Sequence, residues 1–172
     1  MNGPVLAGTK LVLAQPRRLR REFELRSGED VVGTMRWQGI WKPVAHLEAG
    51  GSRWSVARER IWHPRYVARD EVDGAAVAAL DVEKSSGAGT LQMGGETLSW
   101  TRVPSHGAWG FRTAAGFVPA TFHRRGTHVD VTVALDAGDV PPLSFLLLLG
   151  SFLMIVQAQA AATSAGAVAA AA

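Results

Sequence analysis

The sequence has no cysteine, which excludes disulfide bonds and thiolate metal sites. It also has no stretch that resembles a signal peptide, because its only apolar run near the start, Leu11–Ala14, is too short and leads into arginines. We therefore expect a cytoplasmic protein. No stretch before Pro141 shows a convincing helical period, so helices are not expected in the first four fifths of the chain.

The composition is that of a folded domain. The chain has 172 residues, of which 47% are apolar and 19% are charged, so it is neither disordered nor fibrous. This length suits one domain of ordinary size. The charge is uneven along the chain: residues 1–60 hold eleven basic and six acidic residues, and residues 61–139 hold seven and nine. Such an excess could steer the first third toward an anionic surface, although scattered, solvated arginines explain it more simply.

Alternating apolar residues predict an all-β body between Lys10 and Leu135. Turn residues interrupt the alternation about every eight to twelve positions, which is typical of a sandwich or barrel. The pattern includes Trp54 and Val56, Tyr66 and Ala68, and Val77 and Ala79. We count about twelve candidate strands, from Lys10–Ala14 to His128–Leu135.

The last 33 residues, Val140–Ala172, carry no charged side chain. They open with two prolines, continue as an apolar run from Leu143 to Val156, and end in an alanine-rich segment. A helix that is apolar on every side must be buried in lipid or in protein. A membrane span needs roughly 20 apolar residues and normally has a basic flank and interfacial aromatic residues. The strong run has only 14 residues and an acidic flank, so its length and flank favour burial in protein.

A closed barrel would provide that burial. About twelve strands enclose more space than their own side chains can fill, since eight strands already reach that limit. A helix about 10 Å across would fill the lumen. The sequence thus predicts a mainly β fold, a closed antiparallel barrel of about twelve strands enclosing a C-terminal hydrophobic helix, with Leu146, Leu149, Phe152 and Leu153 lining the lumen. Gly150 and Ser151 would let the wall approach closely.

The predicted organisation is a leader (1–9), one barrel domain (10–162) with its helix at 143–162, and a disordered alanine-rich tail (163–172). We expect the helix to fray before about Ala165, because the small side chains after Gln157 bury little area.

The pattern resembles the tubby-like superfamily, which includes LURP-one-related and phospholipid scramblase-like proteins. The likeness covers roughly residues 10–157 and is carried by Arg21–Trp37, Trp109–Gly116 and Pro142–Leu153. It implies a barrel filled by its terminal helix and an association with membrane phospholipids or phosphoinositides. No basic phosphoinositide motif can be transferred residue by residue, and the family's calcium-linked and nuclear roles have no matching segment.

Catalytic signals are few. The sequence has no nucleophile elbow, phosphate-binding loop or zinc-protease motif. Its five histidines are scattered, and only His123 and His128 lie close, with Asp130 as a third candidate ligand. We predict no catalytic residue, no metal site and no cofactor.

Basic and aromatic residues remain as candidates for a binding surface. Arg17, Arg18, Arg20 and Arg21 form the densest charge and are the predicted anionic-lipid contact; a solvated lead into the second strand explains them more simply. The six tryptophans could meet a lipid interface or stack on nucleobases, but packing in the wall or rim of the barrel is favoured.

The sequence therefore predicts a non-enzymatic, monomeric barrel module of unknown activity. Its predicted partner is anionic phospholipid, with neither a nucleic acid nor a small-molecule substrate. The alternative is a tail-anchored membrane protein in which residues 142–162 cross the bilayer.

Overall fold

The computed structural model describes residues 8–16, 21–39, 43–60, 62–104, 107–137 and 143–169, with side chains through residue 163. The chain forms a closed barrel of twelve antiparallel strands and one C-terminal helix, which confirms the predicted fold class. The elements are β1 (Lys10–Ala14), β2 (Glu22–Ser27), β3 (Asp30–Gln38), β4 (Val44–Ala49), β5 (Ser52–Arg60), β6 (Arg65–Asp70), β7 (Ala76–Val82), β8 (Gly89–Met93), β9 (Glu96–Val103), β10 (Ala108–Arg112), β11 (Ala120–Arg125), β12 (His128–Val133) and α1 (Leu143–Ala169).

The sheet is a meander closed by its first and last strands. Each strand pairs with its neighbours in sequence, and β1 pairs with β12 so that Leu11 lies opposite Val131 and Leu13 opposite Val129. Two-residue turns join β4 to β5 at Gly50–Gly51 and β8 to β9 at Gly94–Gly95, and all four glycines have positive φ. A tight hairpin turn demands this conformation, which glycine adopts without strain.

The inner face of β7 differs from the prediction. The buried residues are Ala78 and Leu80, whereas Val77 and Ala79 are only half-buried. The cause is a bulge against β6: Ala68 lies opposite Ala78, but Arg69 lies opposite Ala76, so Val77 has no partner. Because residues 76–80 are all apolar, the sequence carries no polar residue that would show which alternate side chains of β7 face the core.

The helix α1 fills the lumen. Every residue from Phe145 to Met154 is buried, including the predicted lining residues Leu146, Leu149, Phe152 and Leu153, each 1–2% exposed. Aromatic rings of the wall pack directly on the helix. Trp54 lies 5.2 Å from Phe145, and Trp37 and Tyr66 lie 5.0 and 5.4 Å from Phe152, measured between ring centroids. The helix therefore belongs to the same core as the strands.

Small residues let the helix and the wall approach each other. A Cβ added at Gly150 would overlap the ring of Phe122, and one at Gly33 would lie 3.1 Å from Leu148 Cδ2. Ser151 is fully buried, and its hydroxyl donates to the carbonyl of Leu147 at 2.8 Å. This bond within the helix satisfies a polar group in an apolar lumen.

The helix is longer than the sequence predicts. It continues through the predicted tail to Ala169, seven residues beyond the expected end at 162. The reason is intrinsic: alanine has the highest helix propensity of all residues, so the helix persists after its packing contacts end. From Leu143 to Thr163 it is long and apolar enough to span a membrane, and 56% of that window is buried inside the protein.

Candidate functional site

The two ends of the barrel differ in their relation to the helix. Phe145 packs on Trp54, near the end where β5 begins, and Gln157 donates from Nε2 to the carbonyl of Gly87 at 2.9 Å, at the opposite end. We call these the helix-start end and the helix-exit end. Residues 159–163 are exposed beyond the exit end, and 159–169 continue the helix for about 16 Å.

The helix-exit half of the barrel is basic. Each strand is split at its middle, and each turn is counted with the end of the barrel at which it lies. The described residues of the helix-exit half then include nine bases and six acids. The bases are Arg21, Arg36, Arg58, Arg60, Arg65, Lys84, Arg102, Arg124 and Arg125, and the acids are Glu22, Glu24, Glu59, Asp81, Glu83 and Asp130. Three ion pairs form within it, Glu22–Arg36, Asp81–Arg65 and Asp130–Arg125. The remaining bases give this end an excess of positive charge.

The helix-start half is acidic by the same division. It holds five bases, Lys10, Arg26, Arg53, Arg69 and Arg112, and eight acids, Glu29, Asp30, Glu48, Asp70, Glu71, Asp73, Glu96 and Asp136. The asymmetry thus runs from one end of the barrel to the other. It does not follow the first third of the chain, because antiparallel strands carry neighbouring sequence to opposite ends.

Only one of the four predicted lipid-contact arginines lies among the described residues. Arg21 is exposed at the helix-exit end, and its carbonyl accepts a hydrogen bond from Trp37 N at 2.9 Å. Arg17, Arg18 and Arg20 lie outside the described residues and are not counted above. In sequence they belong to the connection between β1 and β2, which joins the helix-exit ends of those two strands.

Four tryptophans pack as the sequence favours, and a fifth does not. Trp54, Trp100 and Trp109 are buried and Trp37 is half-buried; Trp100 lies 5.5 Å from Trp109 and 4.8 Å from Phe111. Trp41 lies outside the described residues. Trp62, in the turn between β5 and β6, is 81% exposed at the helix-exit end. This exposure could not be predicted, because Trp62 has basic residues near it in the sequence, as Trp41 does.

A lysine and the helix both reach the neighbourhood of Trp62. The ammonium of Lys84 lies 5.9 Å from the centre of the Trp62 ring, within the range of a cation–π contact. Lys84 sits in the β7–β8 turn, which is closed by hydrogen bonds between Glu83 N and Ala88 O and between Gly87 N and Glu83 O. The same turn accepts the bond from Gln157. One short turn therefore joins the exposed ring to the helix as it leaves the barrel.

The hydroxyl of Tyr66 has a raised pKa. Burial raises the pKa of its hydroxyl above the usual value, and the nearby Arg58 partly opposes the shift. The phenol therefore remains neutral at physiological pH, as expected for a ring packed on Phe152 inside the barrel mouth.

The histidine cluster considered from sequence forms a surface ion-pair network. His123 lies opposite Asp130 across β11 and β12, His128 Nε2 lies 3.5 Å from Asp130, and Arg125 Nε lies 2.9 Å from it. Asp130 is thus shared with a guanidinium. Among the described residues no group of three or more histidine, aspartate or glutamate side chains could hold a metal ion.

A second mixed group lies on the outer wall. His46 of β4 contacts the carboxylate of Glu71 through Nδ1, beside a depression of about 320 Å³ that Arg36, Arg53 and Glu48 also line. Acids and bases alternate across this wall, as in the pairs Arg36–Glu22 and Arg26–Glu24. The first pair joins β2 to β3 and the second lies within β2, and exposed pairs of this kind stabilise the sheet modestly.

Comparisons with protein-family models, with curated proteins and with solved structures found no match to this chain. The candidate site is accordingly defined by this molecule's own geometry. It consists of the basic helix-exit end, the exposed Trp62 and the uncharged helix that emerges beside it.

Proposed function

We propose that the protein is a non-enzymatic barrel module of the tubby-like kind that docks on anionic phospholipid membranes by its helix-exit end. The observation that carries the proposal is the separation of charge between the two ends. A bilayer that contains anionic lipid attracts basic residues near its surface by about 1 kcal/mol each. A barrel with one basic and one acidic end would therefore approach it in one orientation.

The emerging helix supports the same orientation. The helix Leu143–Ala169 contains no aspartate or glutamate, so no acidic side chain on it opposes an anionic leaflet. At this end the described bases outnumber the acids by nine to six.

The alternative, a tail anchor, has less support. The 14 strongly apolar residues of the helix are those that pack inside the barrel, and withdrawing them would empty the core. Residues 159–163 are exposed, and the sequence from Gln159 onward is mostly alanine, with Gln159, Thr163 and Ser164 as polar interruptions. Such a segment lacks the roughly 20 apolar residues of a span.

The proposal is tested by vesicle co-sedimentation at low salt, with and without phosphatidylserine. Binding should require the anionic lipid and should fall as salt is raised, since exposed charges are screened. Replacing Arg60, Arg102 and Arg124 by glutamine removes three exposed bases of the helix-exit end. The partition coefficient should drop by up to about 100-fold, at roughly 1 kcal/mol per base.

A matched control removes the same charge from the other end. Lys10, Arg53 and Arg69 are also exposed, and their replacement by glutamine should leave binding within about threefold if orientation matters. A further variant with Arg17, Arg18, Arg20 and Arg21 changed to glutamine should weaken binding. Equal losses from both ends, equal binding to neutral vesicles, or no binding at low salt would overturn the proposal. Retention on the vesicles at high salt would favour the tail anchor.

A further inference from the structure

Trp62 stands apart from the other described tryptophans. A single exposed apolar residue needs no explanation by itself, but the surroundings of Trp62 differ from those of the other exposed apolar residues. The other two strongly exposed large apolar residues of the described chain, Val72 and Leu135, lie at the acidic helix-start end. Trp62 alone among them combines exposure with basic surroundings.

The ring is held by its neighbours. Lys84 lies over it, and the turn that carries Lys84 is closed by backbone hydrogen bonds and tied to the helix through Gln157. An aromatic ring with a lysine ammonium beside it matches the interfacial zone of a bilayer in two ways. The indole favours the boundary between headgroups and acyl chains, and the ammonium pairs with phosphate oxygens.

We propose that Trp62 and Lys84 together form an interfacial anchor, in which the indole enters the headgroup region of an anionic bilayer while Lys84 positions the ring and contacts a lipid phosphate. The inference rests on the proposed function, because it assumes docking by the helix-exit end. The anchor adds a short-range contact between Trp62 and the lipid headgroups to the long-range attraction between the basic end and the anionic bilayer. A basic patch alone is a marginal anchor, and stable membrane binding usually combines two signals.

The first experiment compares Trp62→Ala with Val72→Ala in the full chain, using vesicles of phosphatidylcholine and phosphatidylserine. Val72 is 84% exposed at the opposite end of the barrel. Its replacement by alanine therefore serves as the control, because it also removes exposed apolar surface. Trp62→Ala should lower the partition coefficient about tenfold, as expected for an indole that is partly buried on binding. Val72→Ala should change it less than twofold. Both variants should unfold within a few degrees of the wild-type temperature, since both side chains are more than four fifths exposed.

The second experiment reads the position of the ring. Brominated phosphatidylcholine in the same vesicles quenches tryptophans that reach the bilayer. The wild-type protein should lose part of its emission, and Trp62→Phe should abolish most of that quenching while still binding. Lys84→Gln should reduce the quenching more than it reduces binding, because a positioning residue acts on the ring's location. A purely electrostatic role for Lys84 would lower binding and leave the quenched fraction of the bound protein unchanged.

The two proposals fail in different ways. No salt-sensitive binding of the wild type to anionic vesicles overturns the proposed function. Salt-sensitive binding that Trp62→Ala leaves within twofold of the wild type, or quenching that persists in Trp62→Phe, overturns the anchor while the proposed function stands.

Discussion

The first and second halves of the helix have opposite environments although they form one continuous element. Residues 145–154 are buried on every side, whereas residues 159–163 are exposed. By length and hydropathy alone, Leu143–Thr163 is one segment that could span a membrane. Side-chain volume separates the halves, because leucine and phenylalanine fill the space between the helix and the wall and alanine does not. The comparison teaches that an uncharged helix can serve as core along residues 145–154 and as surface along residues 159–163.

The strongest way to break this comparison is to delete residues 143–172. Eight buried apolar side chains would be lost, each contributing roughly 1.5–3 kcal/mol. Their sum is as large as, or larger than, the roughly 5–15 kcal/mol by which a typical domain is stable. We expect a chain that shows no cooperative thermal transition by circular dichroism or calorimetry.

A full-length variant tests whether the instability comes from losing the core side chains or only from shortening the chain. Leu149→Asp places an unpaired carboxylate in the lumen and should cost several kcal/mol. A deleted chain that unfolds cooperatively near the wild-type temperature would show that the helix is not the core.

A smaller effect is expected where the helix touches the wall most closely. Gly150→Ala adds a methyl group that overlaps the Phe122 ring, and overpacking of this kind costs about 1–3 kcal/mol. The measurement is the free energy of unfolding from urea titration.

The control is a larger change in the exposed half. Ala161→Leu adds three carbons at a solvated position and should change the free energy of unfolding by less than about 0.5 kcal/mol. Combining Gly150→Ala with Phe122→Leu should give a loss smaller than the sum of the two single losses, because the two sites share one space. Additive losses would mean that the helix and β11 are not in close contact.

The smallest effect is expected at the helix end. Removal of residues 165–172 takes away helix that lies past the last buried side chains, so the free energy of unfolding should stay within about 0.5 kcal/mol of the wild type. Far-ultraviolet circular dichroism should lose helical signal in proportion to the residues removed. A loss of stability above about 1 kcal/mol would show that the end packs on the barrel after all.

The strands could be predicted because alternation and turn residues agree along most of the chain. β1 and β6 begin and end where the sequence indicates, at Lys10–Ala14 and Arg65–Asp70. β12 ends two residues early, since Leu135 is 76% exposed and lies beyond the ladder. The phase of β7 could not be predicted, because its register depends on a bulge that only the pairing with β6 specifies.

The candidate site was much less accessible from the sequence. Arg60, Lys84, Arg102 and Arg124 are far apart along the chain, and the barrel brings them to one end because every second connection lies there. The sequence favours packing in the wall or rim for both Trp62 and Trp100, yet Trp100 is fully buried and Trp62 is 81% exposed. Which of them faces solvent is decided by strand boundaries, at the one- or two-residue precision that sequence patterns lack.

The position of the helix in the chain also dictates an order of events during synthesis. The barrel is closed by pairing between β1 and β12, and its core follows β12, so the sheet must stay open until the helix has been made. At roughly 5–20 residues per second a ribosome needs on the order of ten seconds or more to pass from the first strand to the helix. Until the helix is made, the twelve apolar-faced strands have no helix to enclose, and the open edges of β1 and β12 can pair with other chains. Closure of the barrel is therefore expected to follow synthesis of the helix, and the open sheet that precedes it is the species most exposed to aggregation.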